Sequence, residues 1–140
     1  MNMKYIKLFE NYNSNKYYHV SPTSKRDDIT SSGLTISNDD KDQRYPNISE
    51  MNVIYAWEEL SLANWYALTE ARDYNTSFDI WGFNYNTTTT TEDTTIGIPY
   101  AVKISDNIPF DELELIDTIT NTNTNKILDL DDILDDIEYS

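Results

Sequence analysis

Apolar and polar residues follow two different periods along the chain, which predicts a mixture of strands and helices. Residues 16–20 and 52–55 are short runs of β-branched and aromatic residues, typical of strands. Between them, Ile29 lies at helix distance after residues 21–23 (Ser-Pro-Thr), which provide helix-capping chemistry, and the segment closes at Gly33. The first third of the ordered chain is therefore predicted to be strand, helix, turn and strand.

The middle of the chain has the spacing of an amphipathic helix. Leu62, Trp65, Tyr66 and Thr69 recur at intervals of three and four residues, which predicts one buried face. We expect this helix to run over residues 58–71, with Glu58 and Glu59 in its first turn, where acidic side chains complement the helix dipole.

Later segments predict three further strands and two polar loops. Residues 78–83 alternate as a strand does, and residues 98–104 form a second run in which Pro99 suits a first or edge position. The predicted loops are residues 37–50 and the threonine-rich stretch 87–95, the latter a loop or the tip of a β-ribbon. Residues 108–113 predict a turn, followed by a short final strand over 114–117.

Both ends of the chain are predicted to be helical. Residues 1–10 form a short amphipathic pattern that can dock on the domain. From residue 118 an Asn/Thr-rich linker leads to an acidic amphipathic helix over residues 126–138. Two interpretations of that helix stay open: a cap with a solvated charged face, or a helix that binds a partner.

Composition narrows the classes of function. The 140 residues fit one domain, and the formal charge of −15 with a pI near 4.1 argues against direct binding to a nucleic-acid backbone, which requires basic residues. The absence of cysteine excludes disulfides, and a single histidine makes a structural zinc site improbable, so no metal is expected. The sequence contains no 18-residue apolar run, so we expect no membrane partner.

The first ten residues resemble the capsid-targeting peptides of internal head proteins in large tailed phages. In those proteins a prohead protease cleaves after a Leu-x-Glu or Ile-x-Glu tripeptide, which here would be Leu8-Phe9-Glu10. The resemblance implies a bacteriophage protein that acts in the host cytoplasm. Packaging in the phage head, followed by injection, is a hypothesis that rests on this peptide.

A second resemblance covers residues 16–117. The run Tyr-His-Val-Ser-Pro at residues 18–22, the following Ile-x-x-x-Gly-Leu, and two tyrosines with ten residues between them resemble ADP-ribosyltransferase-like domains of the diphtheria-toxin and poly-ADP-ribose-polymerase type. The resemblance implies an α+β fold of split antiparallel β-sheets with flanking helices and an NAD cleft between the sheets. It also implies NAD as substrate or ligand, with Tyr55 and Tyr66 around the nicotinamide, His19 on a ribose and Ser21 beside it. Aromatic faces attract a flat pyridinium cation, by about 0.5 to 2 kcal/mol per contact.

One family feature is missing from the expected place. The transferases carry a glutamate on a late strand, where it stabilises the positive charge that develops as nicotinamide leaves. Residues 98–104 contain no glutamate, and Tyr100 or Ala101 occupies the corresponding position. Glu112 is the candidate for this catalytic carboxylate, which makes transferase activity an open question.

Two functions of different classes remain at this point. The first is a phage protein that binds NAD or an NAD-derived nucleotide and that, with a working carboxylate, ADP-ribosylates a host or defence protein. The alternative is a non-catalytic acidic interaction protein, an anti-defence inhibitor or nucleic-acid mimic, whose C-terminal helix blocks a basic host surface.

Overall fold

The computed structural model describes residues 14–36, 53–86, 91–92, 98–120 and 129–138 of the chain. Over these residues the protein is α+β, as predicted, with an antiparallel sheet and three α-helices. The N-terminal segment 1–10, the loop 37–50 and most of the predicted linker lie outside the described residues.

Six strands of the described chain form the sheet, in the order β4-β5-β2-β1-β3-β6, and every neighbouring pair is antiparallel. The strands are β1 (Ser14–Pro22), β2 (Ile54–Trp57), β3 (Phe78–Asn86), the two-residue β4 (Thr91–Glu92), β5 (Ala101–Ile104) and β6 (Glu114–Ile119). The helices are α1 (Arg26–Ser32), α2 (Leu60–Tyr74) and α3 (Leu130–Glu138), with 3-10 turns at Thr23–Lys25 and Phe110–Glu112.

Apolar side chains cover both faces of the sheet. The first face packs against α2 and α3, through a core of Val20, Trp57, Leu62, Ala63, Ala67, Ala71, Phe78, Ile80, Ala101, Ile119 and Ile133. The second face packs against α1 and the segments around its end, through Tyr17, Ile29, Leu34, Ile54, Ala56, Trp81, Phe83, Val102, Ile104 and Ile108. β3 is consequently buried on both sides over its first six residues, although its sequence suggests alternation.

The predicted helix after β1 is confirmed, including its end at Gly33. This residue has φ of 73°, a left-handed value that glycine adopts without a steric penalty. A Cβ atom here would lie 2.2 Å from the carbonyl oxygen of Ile108, because Leu34 pairs with Ile108 in an isolated bridge. The chain can make this close approach only without a side chain.

Two predicted element boundaries were wrong around residues 54–60. β2 begins at Ile54 and extends to Trp57, because its last residue pairs with Ala101 of β5. α2 begins at Leu60, and Glu59 is its extended N-cap residue with φ of −124°. The acidic pair therefore precedes the first helical turn instead of occupying it.

The buried face of α2 also differs from the predicted one. Leu62 is buried, but Trp65, Tyr66 and Thr69 are only half-buried. The fully buried positions are mainly the small residues of the helix, Ala63, Ala67 and Ala71. Small side chains let a helix lie close to a sheet, so the large aromatic residues sit at the margin of the contact.

The C-terminal helix forms, and it packs on the domain. α3 begins at Leu130, four residues after the predicted start, and Ile133 is buried in the core between α3, α2 and the sheet. Leu130, Leu134 and Ile137 pack around it. The apolar side of this helix is therefore covered by the protein itself, as the capping interpretation requires.

Candidate functional site

The middle of the sheet is the place where strand pairing is weakest. β1 pairs with β3 over all nine of its residues, from Ser14 with Asn86 to Pro22 with Phe78. Its other edge pairs with β2 at a single position, Tyr18 with Trp57. Two groups of three strands, β4-β5-β2 and β1-β3-β6, are thus joined by one residue pair, which we call the junction. Backbone groups beside such an opening need partners outside the ladder.

His19 provides one of these partners. Its Nδ1 atom lies 2.6 Å from the carbonyl oxygen of Tyr55, across the junction from β1 to β2. A carbonyl oxygen only accepts hydrogen bonds, so Nδ1 is the donor in this bond. The bond holds the half-buried imidazole in place. The bond reaches only the backbone of Tyr55. The His19 side chain leaves β1 on the same face as Tyr17, which packs in the second core, whereas the Tyr55 ring projects from the first face.

The two predicted tyrosines share one side of the structure. Side chains alternate along a strand, so Tyr55 projects from the same face of β2 as Trp57, and that face packs against α2. The ring of Tyr66, on α2, lies 5.5 Å from the Trp57 ring at an interplanar angle of 49°. The Trp65 ring is 6.4 Å from Tyr66. The site is therefore richer in aromatic rings than the two-tyrosine pattern predicts.

The sequence analysis missed Trp57 and Trp65 as members of this group. Trp57 was outside the predicted strand, and Trp65 was assigned to the core. The signal that could have identified Trp57 is the two-residue period itself, since a strand extended to this residue places it on the face of Tyr55.

Ser21 lies apart from the aromatic group. It shares the face of β1 with His19, and it is buried, with 5% of its surface exposed. Its Oγ atom has no hydrogen-bond partner in the structure, and neither does the buried Nε1 atom of Trp81, which stands opposite His19 on β3. Unpaired buried polar groups are costly, by about 1 to 3 kcal/mol each.

Glu112 lies on the other side of the sheet from the tyrosines. Glu112 is exposed in the 3-10 turn Phe110–Glu112. The ring of Phe110, the first residue of that turn, contacts Trp81 in the core of the second face. The structure therefore does not bring Glu112 to Tyr66. β5, which runs beside β2, contains no glutamate.

Tyr100 marks the start of β5 with an unusual backbone. Its φ of 70° is left-handed, an uncommon value for a large side chain. Its carbonyl oxygen accepts a hydrogen bond of 2.8 Å from the backbone N–H of Glu58. This contact anchors the turn that leads from Tyr55 into α2. The strand predicted over residues 98–104 is shortened because Pro99 and Tyr100 form a turn.

A buried carboxylate on β3 forms a second polar centre that the sequence analysis missed. Asp79 has no exposed surface, and its two oxygens accept four hydrogen bonds. Arg26 of α1 donates two, at 2.7 and 2.8 Å, and the hydroxyls of Thr23 and Thr118 donate at 3.0 and 2.9 Å. An acidic residue inside an apolar strand sequence, Phe-Asp-Ile-Trp, is the signal that could have revealed it.

Opposing effects set the ionisation of Asp79. Burial raises the pKa of this carboxyl, while hydrogen bonds from Arg26, Thr118 and Thr23 and the charge of Arg26 lower it. The lowering effects prevail, so the pKa lies below its ordinary value and the group is ionised. The network joins the 3-10 turn Thr23–Lys25, α1, β3 and β6 and has the character of a structural anchor.

Comparison with known proteins adds no relative. No protein family model matches the chain, and neither a search of curated proteins nor one of solved structures finds a similar protein.

The described residues contain neither a metal-binding cluster nor a membrane-spanning helix. Within these ranges, no three His, Asp or Glu side chains lie close enough together to hold a metal ion. None of the helices in this part of the chain has the length and apolar character needed to cross a membrane.

The arrangement at the junction favours a flat, electron-poor ligand. An oriented imidazole borders the junction from the second face of the sheet, and half-buried aromatic rings border it from the first face. Aromatic faces attract cations. Glu58 and Glu59 follow β2 directly, and the whole chain carries a formal charge of −15. The two glutamates and the net negative charge of the chain both favour a cationic ring over an anionic one.

Proposed function

We propose that the protein binds NAD or an NAD-derived nucleotide at the junction of β1, β2 and α2. The observation that carries the proposal is the 2.6 Å bond from His19 to the Tyr55 carbonyl, at the point where β1 and β2 share only one residue pair. An opening in the middle of a sheet, bordered by an imidazole on one face and by aromatic rings on the other, suits a ligand that has both a flat ring and a ribose.

Each predicted residue takes a distinct role in this proposal. Tyr55 and Tyr66 stack on the nicotinamide, with Trp57 supporting the Tyr66 ring from behind. Because Nδ1 of His19 donates to Tyr55, Nε2 is the ring nitrogen that holds a ribose hydroxyl. Ser21 is buried, so we expect a smaller contribution from its hydroxyl.

ADP-ribose transfer to a host or defence protein would be a further step. The bond between the ribose C1′ and the nicotinamide nitrogen breaks, and its electron pair leaves with nicotinamide. A nucleophile of the target protein then bonds to C1′ and loses its proton. Neither Glu112 nor β5 supplies a carboxylate on the tyrosine side, so the binding proposal does not depend on transfer.

Calorimetric titration tests the binding proposal. We expect NAD to bind the native protein, and Tyr66→Ala to weaken NAD binding by about 2- to 30-fold, the equivalent of one cation–π contact. ADP-ribose lacks the nicotinamide, so its binding should be insensitive to this change. Tyr74→Ala is the matched control, since this exposed tyrosine at the end of the same helix lies outside the aromatic group. Absence of binding by NAD, ADP-ribose and related cyclic nucleotides would refute the proposal.

Incubation with labelled NAD and host lysate tests the transfer step separately. Label on a host protein that requires Tyr66 would establish transferase activity. Nucleotide binding without label transfer would identify a binding protein.

A specific observation supports the second candidate function, an acidic protein that blocks a basic host surface. α3 packs on the domain through Ile133 and leaves Asp131, Asp132, Asp135 and Asp136 exposed on its outer side. Replacing these four aspartates with asparagine keeps the apolar contact and removes the charge. If this candidate is correct, the replacement abolishes the block of the host surface. High salt weakens the complex between the native protein and that surface, because exposed charges are screened.

A further inference from the structure

Two exposed apolar side chains flank Trp81 on the second face of the sheet. Phe110 is 42% exposed, and its ring lies 6.3 Å from the Trp81 ring. Leu115 is 41% exposed and stands directly opposite Trp81 in the ladder between β3 and β6. Among the described residues, the only other large apolar side chain with such exposure is Tyr74. Together, Phe110 and Leu115 form an exposed apolar patch beside Trp81, which we call the apolar step.

This step lies beside an open sheet edge. β6 is the last strand of the sheet, and no strand of the described chain pairs with its outer side. It has six residues, whereas β4 at the opposite edge has two. The outer edge of a strand presents backbone donors and acceptors on which an extended peptide can pair.

Part of this edge is already protected. The side chain of Asp117 accepts a hydrogen bond of 2.8 Å from the backbone N–H of Thr118. A local cap of this kind opposes pairing at that end of β6. The remaining residues, 114–116, include Leu115 and follow the 3-10 turn, so the apolar step and this part of the edge coincide. The pairing of β6 with β3 is irregular here, because Ile116 is an extra residue between the Leu115 and Asp117 pairs.

Carboxylates surround the same place. Asp111, Glu112, Glu114 and Asp117 are all exposed. One of them, Glu114, forms an ion pair with Lys16, whose Nζ lies 2.8 Å away. Such an edge repels a second copy of this chain, which carries the same charge, and attracts a basic segment.

We propose that this β6 surface, formed by Phe110, Leu115 and the four surrounding carboxylates, binds an extended segment of a partner protein. The segment carries lysine or arginine residues for the carboxylates and apolar residues for Leu115 and Phe110, and it pairs as an added strand along residues 114–116. The proposal is independent of nucleotide binding at the junction, which involves β2 and α2.

A fluorescent ten-residue peptide of alternating lysine and valine is a suitable probe. We expect the full-length protein to bind it, with fluorescence anisotropy as the measurement, and the double variant Phe110→Ser, Leu115→Ser to bind at least about tenfold more weakly, a loss of 1.4 kcal/mol. Both side chains are exposed, so this variant should fold, which circular dichroism checks. Backbone amide shifts in NMR spectra should locate the peptide at residues 114–116.

Controls separate the surface from general charge attraction. Tyr74→Ser removes the third exposed apolar side chain and should leave affinity unchanged. A lysine–serine peptide should bind at least about tenfold more weakly than the lysine–valine peptide. Equal binding of the two peptides, or equal loss in the Tyr74 variant, would overturn the proposal. So would a dimer of the native protein that the double variant abolishes, since the surface would then be an interface between copies.

Discussion

β1 has two edges with opposite properties. On one side it pairs with β3 along its whole length, and on the other it meets β2 at the single Tyr18–Trp57 pair. Beyond the paired edge lies the Asp79 network, which ties β3 to α1, to β6 and to the 3-10 turn that follows β1. The open edge carries the bond from His19 to Tyr55. One strand therefore links a fully paired framework to the junction, where we propose that the ligand binds; this would be the usual division between scaffold and site.

The polar groups at the two edges differ in the same way. Both oxygens of Asp79 are bonded to donors from three separate elements, so the carboxylate serves the fold. His19 bonds to a backbone carbonyl through one ring nitrogen, which orients the ring itself. We expect loss of the first contact to affect mainly stability, and loss of the second to affect mainly binding.

The largest effect should come from Asp79→Ala on the paired edge. This change leaves Arg26, Thr23 and Thr118 without their shared acceptor, and it should lower the free energy of unfolding by about 3 kcal/mol. Urea denaturation measures it. Asp73→Ala is the control, because its bond to Arg72 is exposed and such pairs contribute about 0 to 1 kcal/mol. Equal losses for the two variants would contradict the role assigned to the network.

The same carboxylate should make the paired edge sensitive to acid. Its pKa in the folded protein is lowered, so the stabilisation is present above the unfolded value of about 3.9 and is lost as the pH falls through the folded pKa. The difference in unfolding free energy between native protein and Asp79→Asn should therefore shrink below about pH 4. The other carboxylates are present in both proteins, so their contribution cancels in this difference. A constant difference from pH 7 to pH 2 would show that folding does not lower the pKa of Asp79.

A smaller effect on stability is expected at the open edge. His19→Phe keeps an aromatic ring but removes the donor to the Tyr55 carbonyl, which should lower the free energy of unfolding by about 1 kcal/mol. Nucleotide affinity should fall in the same variant by a larger factor than stability alone explains. A variant that unfolds like the native protein and binds nucleotide normally would remove His19 from the site.

The smallest effect should come from the exposed ion pair between β1 and β6. Lys16 and Glu114 lie 2.8 Å apart with side chains 41% and 65% exposed, so Lys16→Ala should cost less than about 1 kcal/mol. Thermal unfolding at low and high salt measures the loss, which should vanish in high salt. A loss that persists there would indicate that the Lys16 stem contributes by packing near Gly82.

The order of elements could be predicted from the sequence, because local signals decide it. Residue type, together with the glycine and proline residues that end elements, predicts the strand at residues 16–20, the helix that ends at Gly33 and the final strand after residue 113. The ends of β2 and α2 could not be predicted in this way, since β2 extends to Trp57 only because Ala101 lies opposite. Pairing between distant segments gives no signal in the local sequence.

The candidate site was predictable in part. The spacing of Tyr55 and Tyr66 placed both on the face where β2 and α2 meet. The order of strands was not predictable, and it is this order that brings His19 beside Tyr55 and separates Glu112 from Tyr66. Trp57 was missed because the predicted strand ended two residues early.

Hydrogen exchange of backbone amides with and without NAD tests the central claim most directly. Saturating NAD should protect amides of β2 and the start of α2, around Tyr55 and Tyr66, and leave the already paired amides of β1 and β3 unchanged. An exchange pattern that is identical in the presence and absence of NAD, or protection confined to strands away from β2, would contradict nucleotide binding at the open edge of β1.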